Sequence, residues 1–262
     1  METLEQFTKI PVMGHLVLGY PTLAESIRTA KKYVQAGIEI LELQIPFSHP
    51  TADGPVITAA CQEAVNGQQV TMADCLAAIR TIREQHPGQE IIVMSYVNRI
   101  FAYGLEKFGQ EMRGLGIRHL IVPDLPVDSP LAAMLTTEVP GFKNTESLNL
   151  VPVLAANVAD ARVEKLLALG FDFFYLMSDF KITGSTFSLH PRLKSVIAKI
   201  RVSRCRVGIG FGISTPEQAR LVTEEADVAI IGSALIQAQL AGGLDDYLES
   251  LQKAINMATE QV

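Results

Sequence analysis

The chain has 262 residues, of which 48% are hydrophobic and 19% are charged, and its formal net charge is −6 at pH 7. This composition excludes a disordered chain, and the negative charge argues against nucleic acid as a partner. The three cysteines are isolated and the five histidines lack the spacing of metal ligands, so we expect reduced thiols and no metal site.

The beginning of the chain carries no sign of a targeting or membrane segment. The first seven residues, METLEQF, are acidic where a signal peptide is basic, and no uninterrupted apolar run reaches the length of a membrane span. We therefore expect a cytoplasmic protein without a membrane partner.

Short apolar runs alternate with amphipathic segments along the chain. The runs lie at 12–18, 38–45, 91–96, 119–122, 148–154, 171–177, 207–211 and 228–231. Several of them are apolar on both faces, which is typical of parallel strands covered by helices. Helical periodicity predicts helices at 23–35, 72–84, 158–169 and 215–223, with Gly170 ending the third and Thr215 capping the fourth.

Eight strand–helix alternations in a chain of this length predict a (β/α)8 TIM barrel that occupies residues 1–262 as a single domain. Two consecutive helices, near 56–65 and 72–84, would add extra helices to the plain barrel. A doubly wound open sheet is the alternative, but it usually carries a glycine-rich GxGxxG turn after the first strand, and none follows 12–18.

The segment 41–55, LELQIPFSHPTADGP, carries two candidate acid/base groups, Glu42 and Asp53. Glu42 and Gln44 share one face of the second predicted strand, while the aliphatic residues share the other. If the aliphatic face packs on helices, Glu42 points into the barrel mouth. The alternative is an ion pair with a buried lysine or arginine, but the interior strands offer almost no such residue. Asp53 lies in an Asp-Gly-Pro turn, and its side chain either takes part in catalysis or only organises the loop.

Two glycine-rich junctions, GIGFGIST at 208–215 and IIGSALI at 230–236, follow the seventh and eighth predicted strands. Glycines there let an anion approach the backbone N–H groups at a helix N-terminus, and barrel enzymes often bind phosphate at these loops. The alternative is that the glycines only permit tight turns. The polar loop 178–189 is either a lid that closes over a ligand or merely a mobile loop. Tyr175 lies either in the core or at the barrel mouth. The segment 139–149 is predicted to be a surface loop.

Several motifs occur together and in order over most of the chain. LEL-x-IPFS-x-P-x-ADGP is followed by Tyr96 and Asn98 in MSYVN, by PDLP at 123–126, by Thr183-Gly184, by GFGIS and by GSA. In this respect the chain resembles the tryptophan synthase alpha chain family. The resemblance implies retro-aldol cleavage of indole-3-glycerol phosphate into indole and glyceraldehyde 3-phosphate, as a lyase step of tryptophan biosynthesis.

The resemblance also implies roles for individual residues. Glu42 would be the general acid/base that protonates the indole carbon whose bond breaks, and Asp53 would hold the indole N–H. The implied substrate-binding residues, several of which would cradle the phosphate, are Tyr96, Tyr175, Thr183, Gly184, Phe211, Gly212, Gly232 and Ser233. No cofactor is implied on this chain, because pyridoxal phosphate belongs to a separate beta chain that receives indole within an α2β2 heterotetramer.

Three alternatives remain beside this interpretation. One is a stand-alone lyase that releases free indole, and another is a catalytically weak subunit that mainly binds and activates a beta chain. An isomerase on a phosphate-binding barrel would explain the glycines but not the ADGP segment.

The sequence departs from the family pattern at several positions. His49 stands where an aspartate associated with signalling to the beta chain is usual, and Gln44 replaces a common glycine and could narrow the mouth. His15 stands where an aromatic residue usually lines the indole pocket. Asp179 and Lys181 change the charge of the loop after the sixth strand. None of these departures changes Glu42, Asp53 or the two phosphate segments.

Overall fold

Parallel strands form the centre of the fold. The computed structural model describes residues 10–136, 148–178, 189, 191–210 and 212–259. Within these ranges the strands are β1 (Ile10–Val17), β2 (Ile38–Gln44), β3 (Glu90–Met94), β4 (His119–Ile121), β5 (Asn149–Leu150), β6 (Val153–Ala155), β7 (Phe173–Met177), β8 (Arg206–Gly210) and β9 (Val228–Ile231). They pair in the order β5-β4-β3-β2-β1-β9-β8-β7-β6.

The two strands at the ends of this order, β5 and β6, are parts of one short stretch of chain. β5 pairs with β4 and β6 pairs with β7, so the stretch closes the sheet into a ring of eight strand positions. Pro152 lies between the two parts and has no N–H to donate. Its carbonyl still accepts from the Tyr175 N–H at 2.9 Å, and the Val151 N–H donates to the Leu120 carbonyl at 2.9 Å. The (β/α)8 TIM barrel is thereby confirmed, with its fifth strand interrupted at proline.

The described helices are α1 (Leu23–Gln35), α2 (Pro55–Gln62), α3 (Met72–Gln85), α4 (Val97–Tyr103), α5 (Leu105–Gly114), α6 (Pro130–Thr136), α7 (Asp160–Ala168), α8 (Pro191–Val202), α9 (Pro216–Glu225), α10 (Ser233–Leu240) and α11 (Leu244–Thr259). The predicted extra helix after β2 is confirmed as α2, which a π-helical turn extends over Glu63–Gly67. A second pair, α4 and α5, was not foreseen. None of the helices in the described ranges is long and apolar enough to cross a membrane.

The predicted helix ends follow the expected local chemistry. Thr215 caps α9 in a capping box with Gln218, and Gly170 adopts a φ of +83° two residues after α7 ends. Residues 139–147, which make up most of the predicted surface loop, lie outside the described residues.

Two separate clusters of apolar side chains pack on the two sides of the barrel strands. Leu41, Leu43 and Ile45 belong to the large cluster between the strands and the surrounding helices. Met13 and Ile40 belong to a separate cluster inside the barrel, whose other buried members are Ile92, Met94, Tyr96, Ile121, Val151, Phe173, Val228 and Ile230. Because side chains alternate along a strand, the outward direction of Leu41 and Leu43 confirms that Glu42 points into the barrel.

The amino-terminal end of the barrel is closed by an ion-pair network. Arg206, at the start of β8, contacts Glu39 at 2.8 Å and Glu90 at 3.0 Å, and its guanidinium lies 5.4 Å from the centre of the Phe173 ring. β3 and β8 are four positions apart in the ring of eight, so the Arg206–Glu90 pair joins opposite sides of the barrel.

Gly210, the last residue of β8, makes room for the Tyr175 side chain. A Cβ atom built at Gly210 would lie 2.3 Å from the Tyr175 hydroxyl oxygen and 2.7 Å from Cζ. Contacts this short force the neighbouring ring to move, so a side chain at Gly210 would displace Tyr175 from the barrel interior.

We expect Gly210→Ala to lower the free energy of unfolding by about 1–3 kcal/mol, because overpacking a rigid interior has a cost of this size. The matched control is Gly88→Ala, since nothing lies within 4 Å of a Cβ built at Gly88. The control should change stability by no more than about 0.5 kcal/mol. Urea unfolding of both variants provides the comparison, and equal stabilities would contradict the steric role of Gly210.

Candidate active site

A layer of polar side chains lies directly above the apolar interior cluster, toward the carboxyl ends of the strands. It contains His15 from β1 and Glu42 and Gln44 from β2, which are only 3%, 4% and 0% exposed. Burying such groups is costly unless they find partners, so their presence marks this end of the barrel as the functional one.

The polar layer opens into a cavity of about 260 Å³. Six of the predicted site residues line it together: Glu42, Asp53, Tyr175, Gly212, Gly232 and Ser233. Its remaining wall is largely apolar, with Ile57, Met94, Ile121, Val153, Met177, Ile213 and Ile230. A mostly apolar cavity with a few convergent polar groups is the usual form of a small-molecule site.

The other predicted site residues have different positions. Tyr96 is buried beside the cavity and reaches it through Asp53. Thr183, Gly184 and Phe211 lie outside the described residues, as do Asp179 and Lys181.

Glu42 has a basic neighbour that the sequence analysis did not connect with it. His15 and Glu42 are direct register partners on β1 and β2, and His15 Nδ1 lies 3.4 Å from Glu42 Oε1. The expected alternative partner was a lysine or arginine, and the structure supplies a histidine instead. Burial lowers the pKa of His15, but the nearby carboxylates of Glu42 and Asp53 outweigh it and raise that pKa above its ordinary value.

The Asp53 carboxylate is held by side chains from two strand ends. Its Oδ2 accepts from Gln44 Nε2 at 2.7 Å and from the Tyr96 hydroxyl at 2.8 Å. The Tyr96 hydroxyl in turn accepts from the Ala52 N–H at 3.1 Å, which ties the loop to β3. Burial raises the pKa of Asp53, while His15, Gln44 and Tyr96 lower it less, so the pKa is raised overall.

The Asp-Gly-Pro turn does not depend on the Asp53 side chain. The turn is closed by the backbone, with the Asp53 N–H donating to the Pro50 carbonyl at 3.1 Å and the Thr58 hydroxyl donating to the Asp53 carbonyl at 3.4 Å. The Asp53 side chain faces the cavity. The side chain is instead held by Gln44 and Tyr96 at the wall of the cavity.

The two glycine-rich junctions present different helix ends. The side chains of Thr215 and Gln218 already satisfy the N-terminus of α9, and Gly212, with a φ of +83°, forms the turn before it. No side chain of the described residues caps α10, which begins at Ser233 after Gly232. The N–H groups of the first turn of α10 therefore make the more suitable anion site.

Tyr175 lies inside the barrel with its hydroxyl against Gly210. Burial, together with the negative charges of Glu42 and Asp53, raises the pKa of Tyr175 well above its ordinary value. Its phenol therefore stays neutral at physiological pH and lines the cavity as a hydrogen-bonding apolar ring.

Other features at this end of the barrel are more exposed. His49 is exposed in the loop after β2, where its Nδ1 lies 2.9 Å from the Ser48 hydroxyl. The described ranges contain no group of three or more histidine, cysteine, aspartate or glutamate residues arranged to hold a metal ion.

Comparisons with known proteins agree with this architecture. The family model for "Tryptophan synthase alpha chain" matches residues 1–261. The tryptophan synthase alpha chain of Syntrophotalea carbinolica is 32% identical over 250 residues, covering 93% of this chain and 94% of that one. The structure of Mycobacterium tuberculosis tryptophan synthase superposes with a TM-score of 0.79 at 26% identity, covering 94% of this chain and 93% of that one.

A second solved structure, the tryptophan synthase subunit alpha of Legionella pneumophila, gives a TM-score of 0.77 at 26% identity and covers 95% of this chain and 93% of that one. The agreement of sequence, relatives and fold extends over nearly the whole chain. The chain belongs to the tryptophan synthase alpha chain family.

Proposed function

We propose that this chain is the alpha subunit of tryptophan synthase and that it cleaves indole-3-glycerol phosphate into indole and glyceraldehyde 3-phosphate. The observation that carries the proposal is a single cavity that combines Glu42 and Asp53 with the open N-terminus of α10. Carboxylates at one side and an anion site at the other suit a substrate with a basic ring carbon and a phosphate. The reaction class is then a carbon–carbon lyase of tryptophan biosynthesis.

Glu42 is assigned the proton transfer to the ring. Retro-aldol cleavage needs a proton delivered to the indole carbon whose bond breaks, because that carbon keeps the bonding electrons. Glu42 is buried and faces the cavity, so a proton transfer between its carboxyl group and a bound ligand would be shielded from bulk water.

Asp53 is assigned the indole N–H. Protonation of the ring carbon places positive charge on the nitrogen, and a carboxylate at this point stabilises it. Both donors to Asp53, Gln44 and Tyr96, bind Oδ2, so the carboxylate has a fixed orientation. We assign its other oxygen, Oδ1, to the indole N–H.

The phosphate is assigned to the junctions after β8 and β9. Ser233 and Gly232 begin α10, whose first N–H groups favour an anion, and Gly212 lines the same cavity from the other junction. The apolar wall between this point and the carboxylates would hold the indole ring. Thr183, Gly184 and Phe211 complete the phosphate end in this proposal on the strength of the sequence motifs.

The reaction as proposed uses only acid–base chemistry of side chains, and we propose that this chain needs no cofactor. Pyridoxal phosphate is expected on the beta chain alone. We further propose that residues 1–262 act as one domain in the cytoplasm, which agrees with a family match that spans residues 1–261.

The proposed partner is a tryptophan synthase beta chain in an α2β2 heterotetramer. Two large apolar side chains are exposed on helices that follow barrel strands, Phe101 on α4 at 64% and Met134 on α6 at 66%. These helices follow β3 and β4. β3 is the neighbour of β2, which is followed by the loop that carries the exposed His49, and β4 is one strand further on. Exposed apolar groups of this size suit a protein partner.

The alternatives have less support. The stand-alone lyase and the weak regulatory subunit are not favoured by relatives that carry the alpha chain name consistently. Retention of both carboxylates on the cavity speaks further against a subunit without catalysis. An isomerase would leave the Asp53 arrangement unexplained.

Glu42→Gln should lower kcat for indole release by roughly 10²–10⁴-fold or more, because the amide cannot deliver a proton. The matched control is Glu39→Gln on the same strand, since Glu39 lies at the other end of the barrel and pairs with Arg206. The control should keep most of its activity. Substantial indole release by Glu42→Gln, with circular dichroism confirming a folded protein, would remove Glu42 from the mechanism.

Tyr96→Phe should move the acid limb of the pH–rate profile to higher pH. The Tyr96 hydroxyl lowers the pKa of Asp53, so its loss raises that pKa further, and Asp53 must be ionised to hold the indole N–H. One lost hydrogen bond of about 1 kcal/mol corresponds to a shift of somewhat under one pH unit. Tyr103→Phe on α4 is the control. If the acid limb stayed in place, the ionisation of Asp53 would not control the rate.

Indole release should rise on addition of a beta chain, and His49→Asp should strengthen that activation, because an aspartate would pair with a basic group on the partner. Ser48→Asp places the same charge one residue away and serves as the control. Steady-state rates with and without the beta chain provide the measurement. Activity indifferent to the beta chain would favour the stand-alone lyase, and activation unchanged by His49→Asp would remove His49 from the coupling.

A further inference from the structure

The His15 ring occupies a position that the proposed mechanism does not yet use. It lines the cavity with Glu42, is only 3% exposed, and places Nδ1 at 3.4 Å from Glu42 Oε1. Its other nitrogen, Nε2, is buried and makes no hydrogen bond of normal geometry among the described residues, although the Gln44 side chain, whose Oε1 is also unpartnered, interacts with the ring. A buried nitrogen without a partner is destabilising, so its retention beside a cavity points to a ligand atom as the missing partner.

The surroundings hold the His15 backbone and limit the space beside its side chain. The hydroxyl of Tyr33, from α1, donates to the His15 backbone carbonyl at 3.2 Å. His15 is also in register with Glu42, and the Gly232 position lies against it, with a built Cβ 3.6 Å from His15 Cβ. The ring thus lies between the general acid and the phosphate end of the cavity. A substrate bound across the cavity would pass its glycerol chain beside His15.

We propose that His15 and Glu42 form a proton-sharing pair in which His15 Nε2 binds the glycerol-chain hydroxyl that becomes the aldehyde oxygen. This inference rests on the proposed function. Retro-aldol cleavage requires removal of the proton from that hydroxyl as well as protonation of the ring carbon. In this arrangement Glu42 and His15, which are in contact, carry out the two proton transfers.

In the proposed reaction the shared proton starts on Glu42, and neutral His15 carries its own proton on Nδ1, so Nε2 is free to accept. Glu42 gives a proton to the indole carbon, the carbon–carbon bond breaks with its electrons moving into the ring, and the hydroxyl oxygen forms the carbonyl double bond. The hydroxyl proton passes to His15 Nε2. The imidazolium then returns its Nδ1 proton to the Glu42 carboxylate, so the net change in the substrate is one proton moved from oxygen to carbon. His15 is left with its proton on Nε2, and exchange with water after product release restores the Nδ1–H form.

The charges around His15 support this assignment. The titratable groups that face it are Glu42 from β2, Asp53 from the loop after β2 and Tyr175 from β7. The two carboxylates together raise the pKa of His15 against the effect of burial, which alone would lower it. Removing the Glu42 charge should therefore let the pKa of His15 fall.

The catalytic test compares three variants of the full chain by kcat, KM and pH profile for indole release. His15→Phe should lower kcat by roughly 10²-fold with a smaller change in KM, because it keeps an aromatic ring but carries no proton. His15→Gln keeps a hydrogen-bond donor and should be as slow. His119→Phe removes the other histidine–carboxylate pair on a barrel strand, which contacts Asp172 at 3.1 Å, and should leave kcat unchanged. Full activity of His15→Phe or His15→Gln would overturn proton sharing.

A second measurement does not depend on activity. The titration midpoint of the His15 ring, followed by ¹⁵N NMR in the wild-type chain, should lie above its ordinary value and should fall in Glu42→Gln. The same midpoint in both proteins would overturn the pair. A midpoint that falls in Glu42→Gln, together with no indole release by the wild type with or without a beta chain, would overturn the proposed function and leave the pair standing.

Discussion

The site depends on a change of chemistry between two successive layers of side chains inside one barrel. Met13 and Ile40 face each other in the lower layer, and His15 and Glu42 face each other two residues further along the same strands. The apolar layer excludes water from below and gives the carboxylates above it a rigid floor. Charge can be desolvated here because each group has a partner in the same layer.

The two carboxylates have partners of different chemical types. Asp53 accepts two hydrogen bonds from neutral donors, Gln44 and Tyr96, which fix its direction without supplying a proton carrier. Glu42 instead contacts His15, a group that exchanges protons near neutral pH. In the proposed mechanism this difference suits Asp53 to binding and Glu42 to proton transfer. This division follows from which residue types lie at the ends of β1, β2 and β3.

Much of this arrangement can be predicted from the sequence. The alternation of LELQI is enough to direct Glu42 inward, and the strand–helix alternation is enough to predict the barrel. The pairing of His15 with Glu42 could not be predicted, because it depends on the register between β1 and β2, which the sequence does not state. Gln44 was expected to narrow the mouth, whereas its contact with Asp53 depends on how the loop folds back. The run 148–154 was predicted as one strand, whereas Pro152 interrupts it and the backbone bonds on either side preserve the ring.

The ion pair between Arg206 and Glu90 has a mechanical consequence. Because it spans the ring from β8 to β3, it works as a cross-brace at the amino-terminal end and keeps the circular cross-section from flattening into an ellipse. At the upper rim, the contacts of His15 with Glu42 and of Tyr96 with Asp53 join adjacent elements. A change in the width of the barrel at this end would move these pairs without stretching the pair between Arg206 and Glu90. Deformation of the rim is coupled directly to the separation of the groups that would hold the two ends of the ligand.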